Sequence, residues 1–415
     1  MQTELTVAQA ERLIRETVPA WPAETVALDA AAGRVLRQNV LAERDLPPYD
    51  RATMDGIAMR WRAWSAGQRE FPLEGMQSAG QAPGALSNAG AAWRIATGAP
   101  LPRGADTVVP VERLSETNGG VRVDDDYRPK RGQFIHTQGS DRRAGALLLK
   151  EGQRIGGVEM ALLSANGVAR PRVAPDPRIA LVSTGDELVG LDSRPESWQV
   201  RSSNGPAMSA LLARRGFGRV TAAHAPDEPE ALAERIRTAL SGSDALILSG
   251  GVSKGAKDYV PGVLTELGAR PLLHRIRQRP GFPLWFGMHG EKPVFGLPGN
   301  PVSSLVCLRR YVIPALEKAL GAPSPAPEHA TLTEDATFKP SLTWFLPVRL
   351  ATDSDGRLLA HPRPTNTSGD FASLARTDGF AQLPAHRSRF PSGRPVRIFR
   401  WNGRFRGRIG SRRPL

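Results

Sequence analysis

A single cysteine in 415 residues, Cys307, leaves no intrachain disulfide. Its place in an apolar helical pattern marks it as a core thiol and points to a reducing compartment. No apolar run approaches the roughly 20 residues a membrane helix needs. The N-terminal stretch carries Glu4 and Glu11 with no apolar core segment, so no signal peptide is expected. The expectation is a soluble, cytoplasmic protein. The seven histidines show no paired spacing, and no zinc site is expected. Walker A and Gly-x-Gly-x-x-Gly fingerprints are both missing, which removes the common ATPase and dehydrogenase readings. Acidic residues are missing from Gly379 to Leu415, where Arg387, Arg389, Arg394, Arg397, Arg400, Arg404, Arg406, Arg408, Arg412 and Arg413 crowd together. Much of the net charge of +14, from 55 Lys and Arg against 41 Asp and Glu, therefore sits in a tail. That tail has no structured base-reading motif, so no nucleic-acid partner is expected.

What is present suits several domains, since 415 residues exceed one ordinary core. Residues 6–17 have amphipathic helical spacing, with Thr6 and Gln9 placed as a capping box. A second helix-like piece spans Leu28 to Leu36. Short strands with frequent Gly, Pro and Asn follow from Phe71 to about Asp141, and Leu147 to Val168 returns to helical spacing. Past Pro171, Pro175 and Pro177, strands at 178–182, 220–223, 245–248, near Leu272 and at 293–296 alternate with helices at 204–214, 227–240, 262–267 and 302–320. Such alternation implies a doubly wound, mostly parallel sheet. The expected division is residues 1–43 with 145–172 as a discontinuous N-terminal helical or mixed domain, 44–144 as a β-rich insertion, 174–322 as the α/β unit, 328–400 as a small β domain and 401–415 as a basic tail.

The chemistry concentrates at strand ends. After Ala245–Leu248 the chain enters Ser249-Gly250-Gly251-Val252-Ser253, and after Val294–Gly296 it enters Leu297-Pro298-Gly299-Asn300-Pro301. Glycine lets backbone N–H groups approach an anion, and the next helix presents its positive end there. Acidic or hydroxyl residues recur in four such loops: Ser183, Thr184, Asp186 and Glu187; Asp227 and Glu228; Ser249, Ser253 and Asp258; Asn300 and Ser303. Carboxylates beside phosphate-cradling backbone suit Mg2+. Asp227 also reads as an ordinary helix cap before Glu228-Pro229. Arg275, Arg277 and Arg279 suit phosphate neutralisation or a solvated basic edge. Asp55 before Gly56, and Thr97 beside Gly98, lie in a different segment, so a site that uses them spans domains or subunits.

Five motifs occur in an order that resembles the molybdopterin molybdenumtransferase (MoeA) family, whose animal counterpart is the gephyrin E domain. They are Pro47-Pro48-Tyr49-Asp50 with Met54-Asp55-Gly56; Thr97-Gly98-Ala99-Pro100 with Pro102; Ser183-Thr184-Gly185-Asp186-Glu187-Leu188; Ser249-Gly250-Gly251-Val252-Ser253 with Asp258-Tyr259; and Leu297-Pro298-Gly299-Asn300-Pro301-Val302-Ser303. The resemblance implies a four-domain homodimer with a MogA-like molybdopterin-binding central domain, the insertion of one subunit facing the central domain of the other. The implied reaction hydrolyses the phosphoanhydride of adenylylated molybdopterin with Mg2+ and molybdate, giving molybdenum cofactor and AMP.

By the same resemblance Asp55, Thr97, Glu187 and Asp258 are the catalytic candidates. Glu187, Asp227, Asp258 and Asp141 are metal candidates, and Ser183, Thr184, Gly250, Gly251, Ser253, Arg275, Arg279, Pro298, Asn300 and Ser303 would bind substrate. Molybdopterin adenylyltransferase and molybdoenzyme chaperones are implied partners. The chain departs from the family at Arg279-Pro280-Gly281-Phe282-Pro283, where Lys-Pro-Gly-Lys-Pro is usual, at Arg275, and at His136 where arginine is expected. Phe282 and the basic tail motivate the alternative, a catalytically weakened pterin-binding or scaffold paralogue.

Overall fold

A computed structural model describes residues 1–253 and 258–402. Lys254, Lys257 and all of the expected basic tail except Trp401 and Asn402 lie outside the described residues. The chain divides into two compact units, residues 1–38, 151–158 and 170 onward in one, and residues 39–150 and 159–169 in the other.

In the first unit, the strand Gln2–Leu5 leads into the helix Val7–Thr17. Thr6 Oγ1 accepts from the Gln9 amide at 3.3 Å while Gln9 Oε1 accepts from the Thr6 amide at 3.0 Å, the capping box foreseen. The unit is built on a seven-stranded sheet in the order Gln2–Leu5, Arg270–Ile276, Trp285–His289, Lys292–Leu297, Ala245–Ser249, Arg178–Thr184, Arg219–Ala225. Only Trp285–His289 runs against its neighbours. Side chains alternate between two cores, as a strand's period of two requires. Ile179, Leu181 and Ile247 pack with Ile14, Met208, Leu212, Val306 and Leu316 on one face. Ala180, Val182, Leu246 and Leu248 pack with Leu232, Ile236, Val263 and Leu264 on the other. The expected doubly wound, mostly parallel α/β sheet is therefore present, with helices on both faces.

The sequence reading omitted two of the seven strands. Gln2–Leu5 is almost wholly exposed and is recruited through backbone register, Thr3 opposite His274, which no apolar pattern announces. Trp285–His289 is apolar and buried through Met288 and so lacks alternation. Two expected helices shrink. Leu28 to Leu36 keeps only a 3-10 turn at Leu28–Ala31, because Gly33 adopts a left-handed backbone (φ 79°) and Val35 and Leu36 instead bridge to Arg154 and Val173. Leu147 to Val168 contains the strand Leu147–Leu149 and a helix limited to Gly157–Ala165. The last helix of the α/β region runs as Pro301–Cys307 and Ile313–Ala319 around a π-helical stretch, Leu308–Val312, ahead of Pro314.

After this helix, five strands close a ring: Thr343–Thr352, Leu358–Pro362, Glu328–Leu332, Pro395–Arg400 and Gly379–Leu383, which pairs back to the first. Leu332, Leu346, Val348, Leu383 and Ile398 fill it. Phe345, Phe380 and Phe399 join the core of the central sheet. There, buried Arg310 pairs with Glu11 at 2.7 Å and lies 4.9 Å over the Phe399 ring.

The second unit holds a six-stranded sheet in the order Thr107–Pro110, Gly56–Met59, Ala92–Ile95, Glu70–Gln77, Gly120–Val123, Leu114–Thr117. Ile57, Met59, Phe71, Val109 and Val121 form the core on one side. Among the described residues no helix is long and apolar enough to cross a membrane.

Candidate functional site

Parallel register brings the foreseen loops to one sheet edge. Ser183 stands opposite Ser249, Ser249 opposite Leu297, and Thr184 opposite Ala225. The loops after all four strands therefore leave on the same side. Glycine allows them to close in. Gly250 has φ 104°, and a Cβ there would lie 2.6 Å from both the carbonyl oxygen and Oγ1 of Thr184. A Cβ on Gly251 (φ 64°) would meet Val260 at 2.8 Å and Thr184 Oγ1 at 3.2 Å. Only glycine fits against Thr184 at these positions.

The polar groups at this edge are buried: Ser183, Thr184, Ser249, Ser303 and Ser304. Asn204, at the start of the helix Asn204–Arg214, donates to Ser249 Oγ at 2.7 Å and to the Gly299 carbonyl at 2.8 Å. It ties the two glycine loops together. Ser304 Oγ donates to the Pro298 carbonyl and stands 3.4 Å from Ser249 Oγ. Two buried atoms here, Thr184 Oγ1 and Asn204 Oδ1, have no hydrogen-bond partner among the described residues. Buried polar groups are nearly always paired, so an orphaned hydroxyl beside a glycine backbone is what a ligand-accepting edge leaves open.

The acidic residues ring this edge. The Asp227 amide donates to Asp186 Oδ1 at 2.9 Å, linking two strand ends. His224 Nε2 lies 2.8 Å from the Gly185 carbonyl. The Glu187 carboxylate folds over Gly185, both oxygens 2.7 Å from where a Cβ would be. Asp227 is not the helix cap that was entertained: Glu228 holds that position for Pro229–Gly242, without a side-chain cap bond. Asp258, half-buried, opens the stretch before the helix Val260–Glu266. Among the described residues no group of three or more His, Cys, Asp or Glu is drawn together as a metal site. Mg2+ commonly takes one or two carboxylates and completes its shell with substrate phosphate and water. Glu187, Asp227 and Asp258 are oxygen donors of the kind Mg2+ takes, but the described residues do not gather the three into one cluster.

The remaining candidates in this unit scatter. Asn300 donates to Ser368 Oγ at 2.8 Å, toward the closed ring. Ser253 is exposed, and Ser303 is buried within the first turn of the helix that begins at Pro301. Arg275 adopts a left-handed backbone (φ 73°), its amide bonded to the Leu284 carbonyl at 2.8 Å. Arg279 is exposed in the short strand Gln278–Arg279, which pairs with Thr343 and Trp344. Gln278 is fully buried and donates to the Pro280 and Gly281 carbonyls at 3.1 and 3.2 Å, pinning the turn that carries half-buried Phe282. Cys307 is buried behind it, and burial pushes its thiol pKa up, as befits a core residue.

In the second unit, Asp55 and Thr97 meet at one end of the paired strands Gly56–Met59 and Ala92–Ile95. Asp55 Oδ1 accepts from the Thr97 amide at 2.7 Å and from its hydroxyl at 3.0 Å. These two bonds, the amide first, hold the carboxyl below the usual carboxylate range. Gly56 is obligatory beside it, since a Cβ would stand 1.9 Å from the Val109 carbonyl oxygen. Asp141 accepts from His136 Nε2 at 2.9 Å, and Arg51 Nη2 lies 3.3 Å from the other ring nitrogen. The histidine that replaces an expected arginine thus still meets an acid.

Sequence reasoning missed Asn204, Ser304, His224 and His274, whose Nε2 lies 2.9 Å from the Val252 carbonyl. An asparagine opening a helix after Ser202-Ser203 was the one available signal, and it reads equally as an end-of-helix preference.

Residues 5–167 match the family described as MoeA N-terminal region (domain I and II), residues 180–318 the probable molybdopterin binding domain, and residues 329–401 the MoeA C-terminal region (domain IV). The molybdopterin molybdenumtransferase of Synechocystis sp. is 37% identical over 399 residues, covering 96% of this chain and 100% of that protein. Its namesake from Nostoc sp. is 34% identical over 390 residues, 90% and 88% of the two chains. The crystal structure of a molybdopterin biosynthesis MoeA protein from Pyrococcus horikoshii superposes with a TM-score of 0.83 at 30% identity, covering 96% of this chain and 100% of that one. The molecule is thus a multidomain α/β protein whose central domain is of the molybdopterin-binding type. The chain belongs to the molybdopterin molybdenumtransferase family, transferases of molybdenum cofactor biosynthesis.

Proposed function

We propose that this chain inserts molybdenum from molybdate into adenylylated molybdopterin, hydrolysing the phosphoanhydride in the presence of Mg2+ and releasing AMP with molybdenum cofactor, as a cytoplasmic homodimer. The observation that carries this reading is the Thr184 edge, where two glycines press backbone against a buried hydroxyl that has no partner among the described residues. In this reading, the Gly251 amide and the hydroxyls of Ser183, Thr184 and Ser253 donate to the phosphoryl oxygens, while the Gly250 amide holds the loop by its bond to the Leu297 carbonyl at 3.0 Å and Pro298, Asn300 and Ser303 line the opposite loop.

Arg275 and Arg279 take the oxyanion side, where a guanidinium forks onto phosphate or molybdate. Glu187, Asp227 and Asp258 would hold Mg2+ through one or two of their carboxylates, and Asp141, in the other unit, is a separate acidic candidate. When bound, Mg2+ offsets the negative charge that develops on the phosphoryl oxygens. Asp55, kept ionised by Thr97, orients water or receives its proton.

Purified protein incubated with adenylylated molybdopterin, molybdate and Mg2+ tests the reaction. AMP release that EDTA abolishes is expected; intact binding without AMP release would refute the enzyme reading and favour the pterin-binding or scaffold paralogue, which half-buried Phe282 in place of a cation motivates.

A further inference from the structure

Three of the exposed large apolar residues of this chain fall within ten positions: Leu191 at 63%, Trp198 at 64% and Val200 at 53% exposure. They sit on the loop that leaves the phosphate edge. Its two ends form a small parallel pair in which Leu188 stands opposite Val200 and Val189 opposite Arg201. The Val200 amide donates to the Glu187 carbonyl at 2.9 Å, and Ser202 donates to the Val189 carbonyl at 3.0 Å. Trp198 precedes Val200 by two residues, in the turn closed by the Gln199 amide on the Glu196 carbonyl at 3.0 Å, so its backbone lies close to the Val200 bond to Glu187 on the acidic rim of the edge. Arg201 Nε closes the far side by donating to the Leu191 carbonyl at 3.0 Å.

A tryptophan nearly two-thirds exposed costs free energy in water unless something covers it, and a backbone-pinned loop holds it in place while it is uncovered. Among the described residues no hydrogen bond or ring contact engages the indole. An indole face is suited to a flat heteroaromatic ring, for which stacking is favourable and tolerant of ring type. The proposed substrate carries two such rings, a pterin and an adenine, joined through the phosphates that the adjacent glycine loops would hold.

We propose that Trp198 is a stacking platform for one heteroaromatic ring of the substrate, positioning the phosphoanhydride against the Thr184 edge. The proposal rests on the substrate reading above. Trp198 is a positioning residue: its loss weakens binding and leaves the chemical step alone.

The test compares Trp198→Ala, Trp198→Leu and Trp198→Phe in the full-length protein. AMP release is followed at varied adenylylated molybdopterin, and affinities for AMP and for molybdopterin are titrated separately. Trp198→Ala is expected to raise KM about tenfold with kcat within about twofold, the loss of one stacked ring. Trp198→Phe restores the affinity and Trp198→Leu, apolar without a ring, does not. Weakened AMP affinity assigns the adenine, and weakened molybdopterin affinity the pterin. Wild-type KM in Trp198→Ala, equal rescue by Leu, or a KM change that follows dissociation to monomers in sedimentation would each overturn the platform. Should wild-type protein bind both fragments without releasing AMP, the reaction reading fails, while the affinity series still decides the platform.

Discussion

Thr184 and Asp55 both place an oxygen at the end of a strand, yet the protein holds them in opposite ways. Thr184 is buried, packed against two glycines that cannot carry a side chain, and its hydroxyl has no partner among the described residues. Asp55 faces solvent, and its carboxylate is satisfied by two hydrogen bonds from one residue. The first arrangement is preorganised by packing, so its geometry is inseparable from fold stability. The second is preorganised by local hydrogen bonding, so its chemistry is separable from stability.

The largest effect should come from filling the packed edge. Gly250→Ala forces a β-carbon to 2.6 Å from Thr184 atoms at a left-handed backbone position. It should destabilise the protein by about 3 kcal/mol, read as a lower midpoint in urea. An unchanged midpoint would dissolve the contrast. Next, Asp55→Asn should lower AMP release about 100-fold while moving stability by less than about 0.5 kcal/mol, as an exposed loop change does.

The pH profile sharpens the same point. A carboxylate whose folded pKa is depressed contributes stability that is complete above its unfolded value, near about 4, and that is lost as pH falls through the lower folded value. Asp55 should therefore impose no acidic limb on turnover above about pH 5. Thr97→Val removes the hydroxyl bond, keeps the amide bond, and should shift any acidic limb upward; a downward shift would contradict the assignment.

Thr184→Val separates ligand from fold at the packed edge. Replacing an unpartnered buried hydroxyl by a methyl should leave the unliganded protein unchanged or more stable by about 1 kcal/mol, while affinity for a phosphate-bearing ligand falls about tenfold. A loss of stability would mean that the hydroxyl is already satisfied. The smallest effect is assigned to Phe282→Lys, which restores a cation at a half-buried turn position. Molybdate affinity should rise about threefold, in line with a partly exposed charge, in an equilibrium titration at low salt. No rise would show that Arg275 and Arg279 already suffice.

Much of this was legible before the fold was known. The helix Asn204–Arg214 appears at the bounds its spacing suggested, and the strand ends at Thr184, Ser249 and Leu297 fall where apolar runs meet glycine. Gln2–Leu5 was not legible, because an exposed edge strand is recruited by its backbone and leaves no apolar pattern. Asn204 was hidden for a related reason. Its contacts to Ser249 and Gly299 cross 45 and 95 residues of chain, and single-residue preferences carry no information about such partners.

Spacing and apolar alternation by themselves determined the fold class and the residue types at each strand end, since these depend on local backbone chemistry that any one segment carries, and the ordered motifs carried the resemblance to the family. Tertiary structure alone decided which oxygens are buried, which are paired, and which is left open. Thr184 Oγ1 is left without a partner among the described residues where parallel register brings the side-chain-free Gly250 and Gly251 against it. That exclusion of water and of partners is a property of packing, which no stretch of sequence possesses alone.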